Sequence, residues 1–251
     1  MNSTIVESKN FYPRNWNVQQ ELREYLESRH NYLIAKRVVD VTVSLLVMIL
    51  VFPLIFPIVL LLIRLTSRGP VFFKQRRVGY LGRTFWCLKF RTMYVNDSSD
   101  TRRASRNDPR VTPLGAFLRN TCLDELPQFI NVLRGDMSLV GPRPHMLRDS
   151  KEFSEAIANY KFRSLARPGI TGISQVRGYR GPAANFESIF RRYQWDAYYV
   201  RNMSLRLDIK IMVETAGLML TSLFNRSKPM PIDSPVYGHG GMAATAAKKI
   251  A

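Results

Sequence analysis

Residues 38–63 read VVDVTVSLLVMILVFPLIFPIVLLLI, the one long apolar run in a chain of 251 residues. By length it could cross a bilayer as a single helix. Pro53 and Pro57 fall near its middle, and each removes a backbone donor and crowds the preceding turn. The chain holds no second run of this kind to re-satisfy carbonyls freed inside a bilayer. Lys36 and Arg37 precede the run; Arg64, Arg68, Lys74, Arg76 and Arg77 follow it, and no acid occurs from residue 41 through residue 96. Basic flanks at both ends draw both ends to the cytoplasmic face. A helix that enters, breaks at Pro53 and Pro57 and returns satisfies them; a kinked transmembrane anchor is the simpler alternative. The same flanks suit anionic lipid headgroups, at about 1 kcal/mol per basic residue near the surface. Asp40 would be costly facing lipid, so it is expected to pair with Arg37 or with a basic residue of the globular part.

A net charge of +18 and a pI near 10.3 imply anionic partners. Ordinary apolar and aromatic content excludes a disordered basic tail. No pattern of a nucleic-acid-binding module is present, so nucleic acid is not an expected partner. Cys87 and Cys122 lack metal-ligand spacing and read as reduced cytosolic thiols; His30, His145 and His239 are scattered. No secretory signal precedes the apolar run, and the N-terminus is expected to be retained.

Residues 1–35 read as a peripheral segment with an amphipathic helix at 18–32, carried by Leu22, Tyr25, Leu26 and Arg29. Short strands are expected at 71–73 and 85–93 around Gly79 and Gly82, a loop at 96–109, and helices at 114–119 and 128–133. Phe153, Ile157 and Tyr160 predict a helix over 151–163; Phe186, Ile189, Phe190 and Tyr193 predict another, with apolar stripes facing core or membrane. Residues 207–224 are apolar but carry Asp208, Lys210 and Glu214, which suits a packed or interfacial helix. The tail from 225, rich in Pro, Gly and Ala, is expected to be disordered. The expected fold is α+β and mostly helical: a peripheral segment (1–35), a re-entrant membrane helix (36–66), a cytoplasmic catalytic domain with short strands (67–224) and a flexible tail (225–251).

Residues 118–144, LRNTCLDELPQFINVLRGDMSLVGPRP, carry the chemistry. Asp124 and Glu125 are adjacent carboxylates among Arg119, Arg134 and Arg143. Two carboxylates repel, and a divalent cation relieves that repulsion; Mg²⁺ (or Mn²⁺) takes one or two carboxylates plus phosphate oxygens and water. One carboxylate can then attack phosphorus. Lys89, Arg91, Arg119 and Arg143 are the candidate phosphate ligands, arginine for its bidentate fork. Arg143 is presented stiffly between Pro142 and Pro144.

These blocks resemble the bacterial monotopic phosphoglycosyl transferases, the sugar transferase family of small catalytic-core type. The resemblance runs from Lys36 to about Leu220 through KR-x-x-D at 36–40, GPVFFKQ at 69–75, KFRTM at 89–93, LDELPQ at 123–128, NVLRGDMSLVGPRP at 131–144 and RPGITG at 167–172. It implies Asp124 as nucleophile and metal ligand, Glu125 assisting, Arg119 and Arg143 facing phosphate, and Arg167, Gln175 and Arg177 near the nucleotide sugar. The family's serine before the membrane break is replaced by Phe52. The resemblance further implies ping-pong transfer of a sugar-1-phosphate from a UDP-sugar to undecaprenyl phosphate at the bacterial inner membrane, with release of UMP. Such a reaction initiates exopolysaccharide, capsule or other surface-glycan assembly. QVRGYRG at 175–181 is closer to members handling glucose or galactose than to those handling acetamido sugars. The chain looks like a near-minimal catalytic core, with room for a homo-oligomer. A membrane-tethered basic binding or scaffold protein without catalysis is the alternative, and it gives no reason for LDELPQ.

Overall fold

The computed structural model describes residues 24–25, 27–99, 102–105, 108–179 and 186–224. Of the expected amphipathic helix at 18–32, residues 18–23 and 26 lie outside the described residues, as does the whole tail from 225; within its described part the helix is interrupted by a turn at Ser28 and Arg29.

The apolar run folds into two helices, α1 (His30–Leu50) and α2 (Phe52–Thr66), bent by 64° at a one-residue break. Pro53 sits in the first turn of α2, where its missing N–H costs least. Pro57 lies inside α2 without breaking it, so of the two expected breakers only Pro53 stands at the bend. No single described helix is long and apolar enough to cross a membrane. Ile34, Val38, Leu45, Ile49, Leu54 and Ile58 are among the large apolar side chains that the pair leaves exposed.

The opposite faces of the pair are packed. On α1, Lys36, Asp40 and Ser44 recur every four residues and are all buried. Asp40 does not pair with Arg37: its Oδ1 accepts from the Leu139 N–H and the Ser138 hydroxyl, each at 3.0 Å. Arg37 instead donates to the Val132 and Leu133 carbonyls, at 2.6 and 2.8 Å. Lys36 reaches Asp208 at 2.8 Å. On α2, Phe52 stacks on Phe56, which tilts against Phe90, and Val59 and Ile63 join Val71, Phe90 and Leu118 in one buried cluster.

Beyond the pair comes the hairpin β1 (Phe72–Val78) and β2 (Thr84–Phe90), antiparallel with Phe72 opposite Phe90 and Val78 opposite Thr84. The strands run later than 71–73 and end earlier than 93. Helices α3 (Pro113–Asn120) and α4 (Gln128–Arg134) flank a single 3₁₀ turn, Leu123–Glu125. Strand β3 (Ser138–Val140) pairs in parallel with β4 (Gly169–Thr171). Gly141 and Gly169 let these ends meet: a Cβ on Gly169 would stand 2.1 Å from the Gly141 nitrogen.

Between β3 and β4 lies α5 (Leu147–Ala156). It ends before the expected residue 163, because Ile157 is extended and Asn159 is left-handed at φ 58°. Phe153, Ile157 and Tyr160 still share one buried cluster, with Ile189 and Tyr193 against it. The short α6 (Ile173–Val176) precedes α7 (Phe186–Arg201) and α8 (Leu205–Phe224). On α7, Phe186 and Phe190 are exposed, so only half of the expected stripe is core. The main core joins β3, β4 and α6 to Tyr199, Val200, Met203 and Ile211.

Candidate active site

The carboxylate pair sits on the 3₁₀ turn. Cys122 enters the turn at φ 58°, ψ 13°, a left-handed conformation that costs a non-glycine residue about 1–2 kcal/mol. Pro127 and α4 follow at once. This tight corner buries Asp124 to 7% exposure and aims the pair into a cleft of ≈ 1830 Å³. Lys89 comes from β2. The Asn131 side chain fixes the nearby edge of that strand, accepting from the Leu88 N–H at 3.0 Å and donating to the Trp86 carbonyl at 2.8 Å.

Lys89 Nζ lies 2.5 Å from Glu125 Oε1 and 3.6 Å from Asp124 Oδ2. Arg143 Nη2 reaches the same Glu125 oxygen at 2.8 Å. Arg119 donates its Nε to the Thr92 hydroxyl at 2.8 Å, and its two terminal nitrogens have no protein partner among the described residues. Burial pushes both carboxyls up. For Glu125, Arg143 and Lys89 outweigh burial and hold it well below the usual range. For Asp124, burial wins: Lys89 opposes it, the Glu125 charge adds to it, and the carboxyl lies above its ordinary value. Two adjacent acids thus have opposite tendencies, and the more basic one carries no hydrogen bond among the described residues.

That difference bears on a metal. Among the described residues no three His, Cys, Asp or Glu side chains form a cage. Glu125 Oε1 is held by two cations; Asp124 keeps open lone pairs. The donor set fits a cation shared between one carboxylate, phosphate oxygens and water, and does not fit an all-protein site.

Lys89, Arg91, Arg119, Asp124, Glu125, Arg143 and Gln175 line the cleft. The guanidinium of Arg91 is spent on backbone: its terminal nitrogens donate to the Ser67 and Arg68 carbonyls at 2.7 and 2.8 Å, tying the end of α2 to the hairpin. Arg167 and Arg177 are not brought to the cleft. Arg167 lies 5.2 Å over the Tyr80 ring, and Arg177 sits 3.7 Å from Glu214 and 5.6 Å over the Trp195 ring. Gln75, Arg77, Thr92 and His145 also line the cleft and were not singled out by sequence. The signal was there for three: Gln75 stands in GPVFFKQ, Thr92 in KFRTM, and His145 directly follows GPRP. His145 lies half-buried among Arg163, Arg192, Arg77 and Arg143; burial first and then these charges push its pKa well below the ordinary histidine value.

Asp124 and Glu125 thus lie beneath converging cations in a cleft beside the broken apolar helix pair, an arrangement chemically suited to phosphate oxygens. The chain belongs to the bacterial sugar transferase family, whose profile matches residues 31–222. It is 43% identical over 201 residues to the UDP-glucose:undecaprenyl-phosphate glucose-1-phosphate transferase of Xanthomonas campestris pv. campestris, covering 79% of this chain and 42% of that protein. A protein of the same name from Caulobacter vibrioides is 45% identical over 190 residues, covering 75% and 71% respectively. The UDP-N-acetylgalactosamine-undecaprenyl-phosphate N-acetylgalactosaminephosphotransferase of Aeromonas hydrophila is 44% identical over 161 residues, covering 64% and 38%. The chain thus spans about two fifths of the length of the first of these relatives.

Proposed function

We propose that the chain transfers a hexose-1-phosphate from a UDP-sugar to undecaprenyl phosphate on the cytoplasmic face of the bacterial inner membrane, starting a surface glycan such as an exopolysaccharide or capsule. The observation that carries this reading is the Asp124–Glu125 pair, with Asp124 buried, under Lys89, Arg119 and Arg143. Asp124 Oδ attacks the phosphorus that bears the sugar. The bridging P–O bond to the uridine-side phosphate breaks, and UMP leaves with the electron pair. An oxygen of undecaprenyl phosphate then attacks the aspartyl phosphorus, breaks the acyl–phosphate bond and frees Asp124. The product is a polyprenyl diphosphate sugar.

Each residue has a physical role in this scheme. Glu125 stays ionised and orders Lys89 and Arg143. Those cations and the open nitrogens of Arg119 stabilise charge on the transferring phosphoryl oxygens. The raised Asp124 carboxyl makes a more basic nucleophile than a surface aspartate. A magnesium ion on Asp124 would neutralise diphosphate charge and favour the ionised carboxylate. The apolar faces of α1 and α2 support a re-entrant seat in one leaflet, where a lipid phosphate meets a soluble nucleotide. A scaffold protein would have no use for a carboxylate pair buried in a cationic cleft.

UMP release, measured with undecaprenyl phosphate and a panel of UDP-sugars including acetamido sugars, tests the reading. Turnover with UDP-glucose or UDP-galactose is expected. Asp124→Asn should abolish it with fold and membrane binding intact, since an amide cannot be the nucleophile. Activity within about tenfold of wild type would remove Asp124 from that role.

A further inference from the structure

Arg143 reaches Glu125 from a segment whose backbone is held at every residue. The Pro142 carbonyl accepts from the Gly169 N–H at 3.1 Å, and the His145 carbonyl accepts from the Val78 N–H at 3.0 Å. The two carbonyls between them accept from side chains. Arg163 Nη2 donates to the Arg143 carbonyl at 2.6 Å, and Arg77 Nη1 donates to the Pro144 carbonyl at 2.5 Å. With Pro142 and Pro144 fixing φ on either side, the Arg143 backbone has nowhere to move.

Arg163 is the unusual member. Its side chain is 6% exposed and lies in the 3₁₀ segment Tyr160–Leu165, outside the cleft lining. Asp196 of α7, itself 3% exposed, accepts from Arg163 Nε at 3.0 Å and Nη2 at 2.7 Å. The guanidinium also covers the Tyr160 ring at 5.4 Å, and the Tyr160 hydroxyl meets His145 Nδ1 at 2.5 Å. A buried ion pair gives little stability over apolar residues of the same volume. This one directs a donor at the backbone oxygen of an active-site arginine.

We propose that Arg163, fixed by Asp196, is a positioning residue that holds Arg143 over the carboxylate pair. It rests on the phosphotransfer reading for its effect on turnover, while its geometry stands apart from that reading. Arg163 touches no reacting atom; it acts on Arg143 through the backbone carbonyl.

The test uses the full chain in detergent micelles. The paired swap Arg163→Met with Asp196→Leu removes both charges together, which buried pairs commonly tolerate. Two measurements follow. Phenylglyoxal labelling, mapped by peptide mass spectrometry, should become severalfold faster at Arg143 and stay unchanged at Arg91. Turnover should fall by about 100-fold, as expected for a misplaced catalytic group, with KM for the UDP-sugar nearly constant. In an Arg143→Lys background the swap should add almost nothing. Unchanged Arg143 labelling, equal acceleration at Arg91, or a full additional loss in the Arg143→Lys background would each overturn the proposal. If the swap does not fold, Arg163→Lys answers the same questions: it keeps the charge for Asp196 but lacks the fork that also reaches the carbonyl. A wild-type chain without turnover would defeat the phosphotransfer reading, and the labelling alone would still decide the clamp.

Discussion

Cys122 shows how a single residue shapes the site. Its left-handed backbone turns the chain so that Asp124 points inward one residue after Leu123. A β-branched side chain suits that conformation worst, so Cys122→Val should cost about 1–2 kcal/mol, seen as a lower melting temperature, and should depress turnover by shifting the adjacent dyad. Cys122→Gly should melt near wild type. The open lone pairs of Asp124 carry a second expectation: excess EDTA should stop UMP release, and Mg²⁺ or Mn²⁺ should restore it. Full turnover in EDTA would exclude the shared cation. The dyad and its cations were legible because their chemistry lies in adjacent blocks. The left-handed turn was not, because nothing about a cysteine signals positive φ. The contacts that Arg91, Arg167 and Arg177 make here, to carbonyls, a tyrosine ring and Glu214, were not legible either: a guanidinium written in sequence does not say whether it faces a phosphate, a carbonyl or a ring.

The broken helix belongs to the element scale. The break was readable from proline spacing, but the separate parts played by Pro53 and Pro57 emerge only once the helix ends are seen. Pro53 begins α2 and Pro57 rides within it. Replacing both with Leu restores two backbone donors and should straighten α1 and α2 toward one rod; 21 and 15 residues on one axis would measure about 54 Å. Cysteines placed before Lys36 and after Arg64 should label from one face of the membrane in the wild type and from opposite faces in the double variant. Labelling from opposite faces in the wild type would defeat the hairpin. The α5 boundary failed in the other direction. Phe153, Ile157 and Tyr160 keep a helical period and do reach one cluster, yet the chain arrives there through an extended residue and a left-handed asparagine, which periodicity cannot register.

For the whole molecule, the apolar run looked in sequence like an anchor attached to a separate globular part. Its packing is different, because the partners of Lys36 and Asp40 lie about a hundred or more residues away, in β3 and α8, where no local pattern points. Asp208 is 4% exposed and takes hydrogen bonds from Lys36, Tyr32 and Tyr199. Removing the lysine would strand that charge, at a cost of about 3–5 kcal/mol. A fragment beginning at residue 67 should therefore fail to fold even in detergent, as judged by circular dichroism and proteolysis; a compact, protease-resistant fragment would contradict this. The consequence reaches heredity as well as engineering. Because the broken helix pair shares one interior with β3 and α8, a lineage cannot exchange that pair for another without rebuilding the packing behind the cleft. The apolar side chains that α1 and α2 leave exposed, such as Ile49, Leu54 and Ile58, can change without touching that interior.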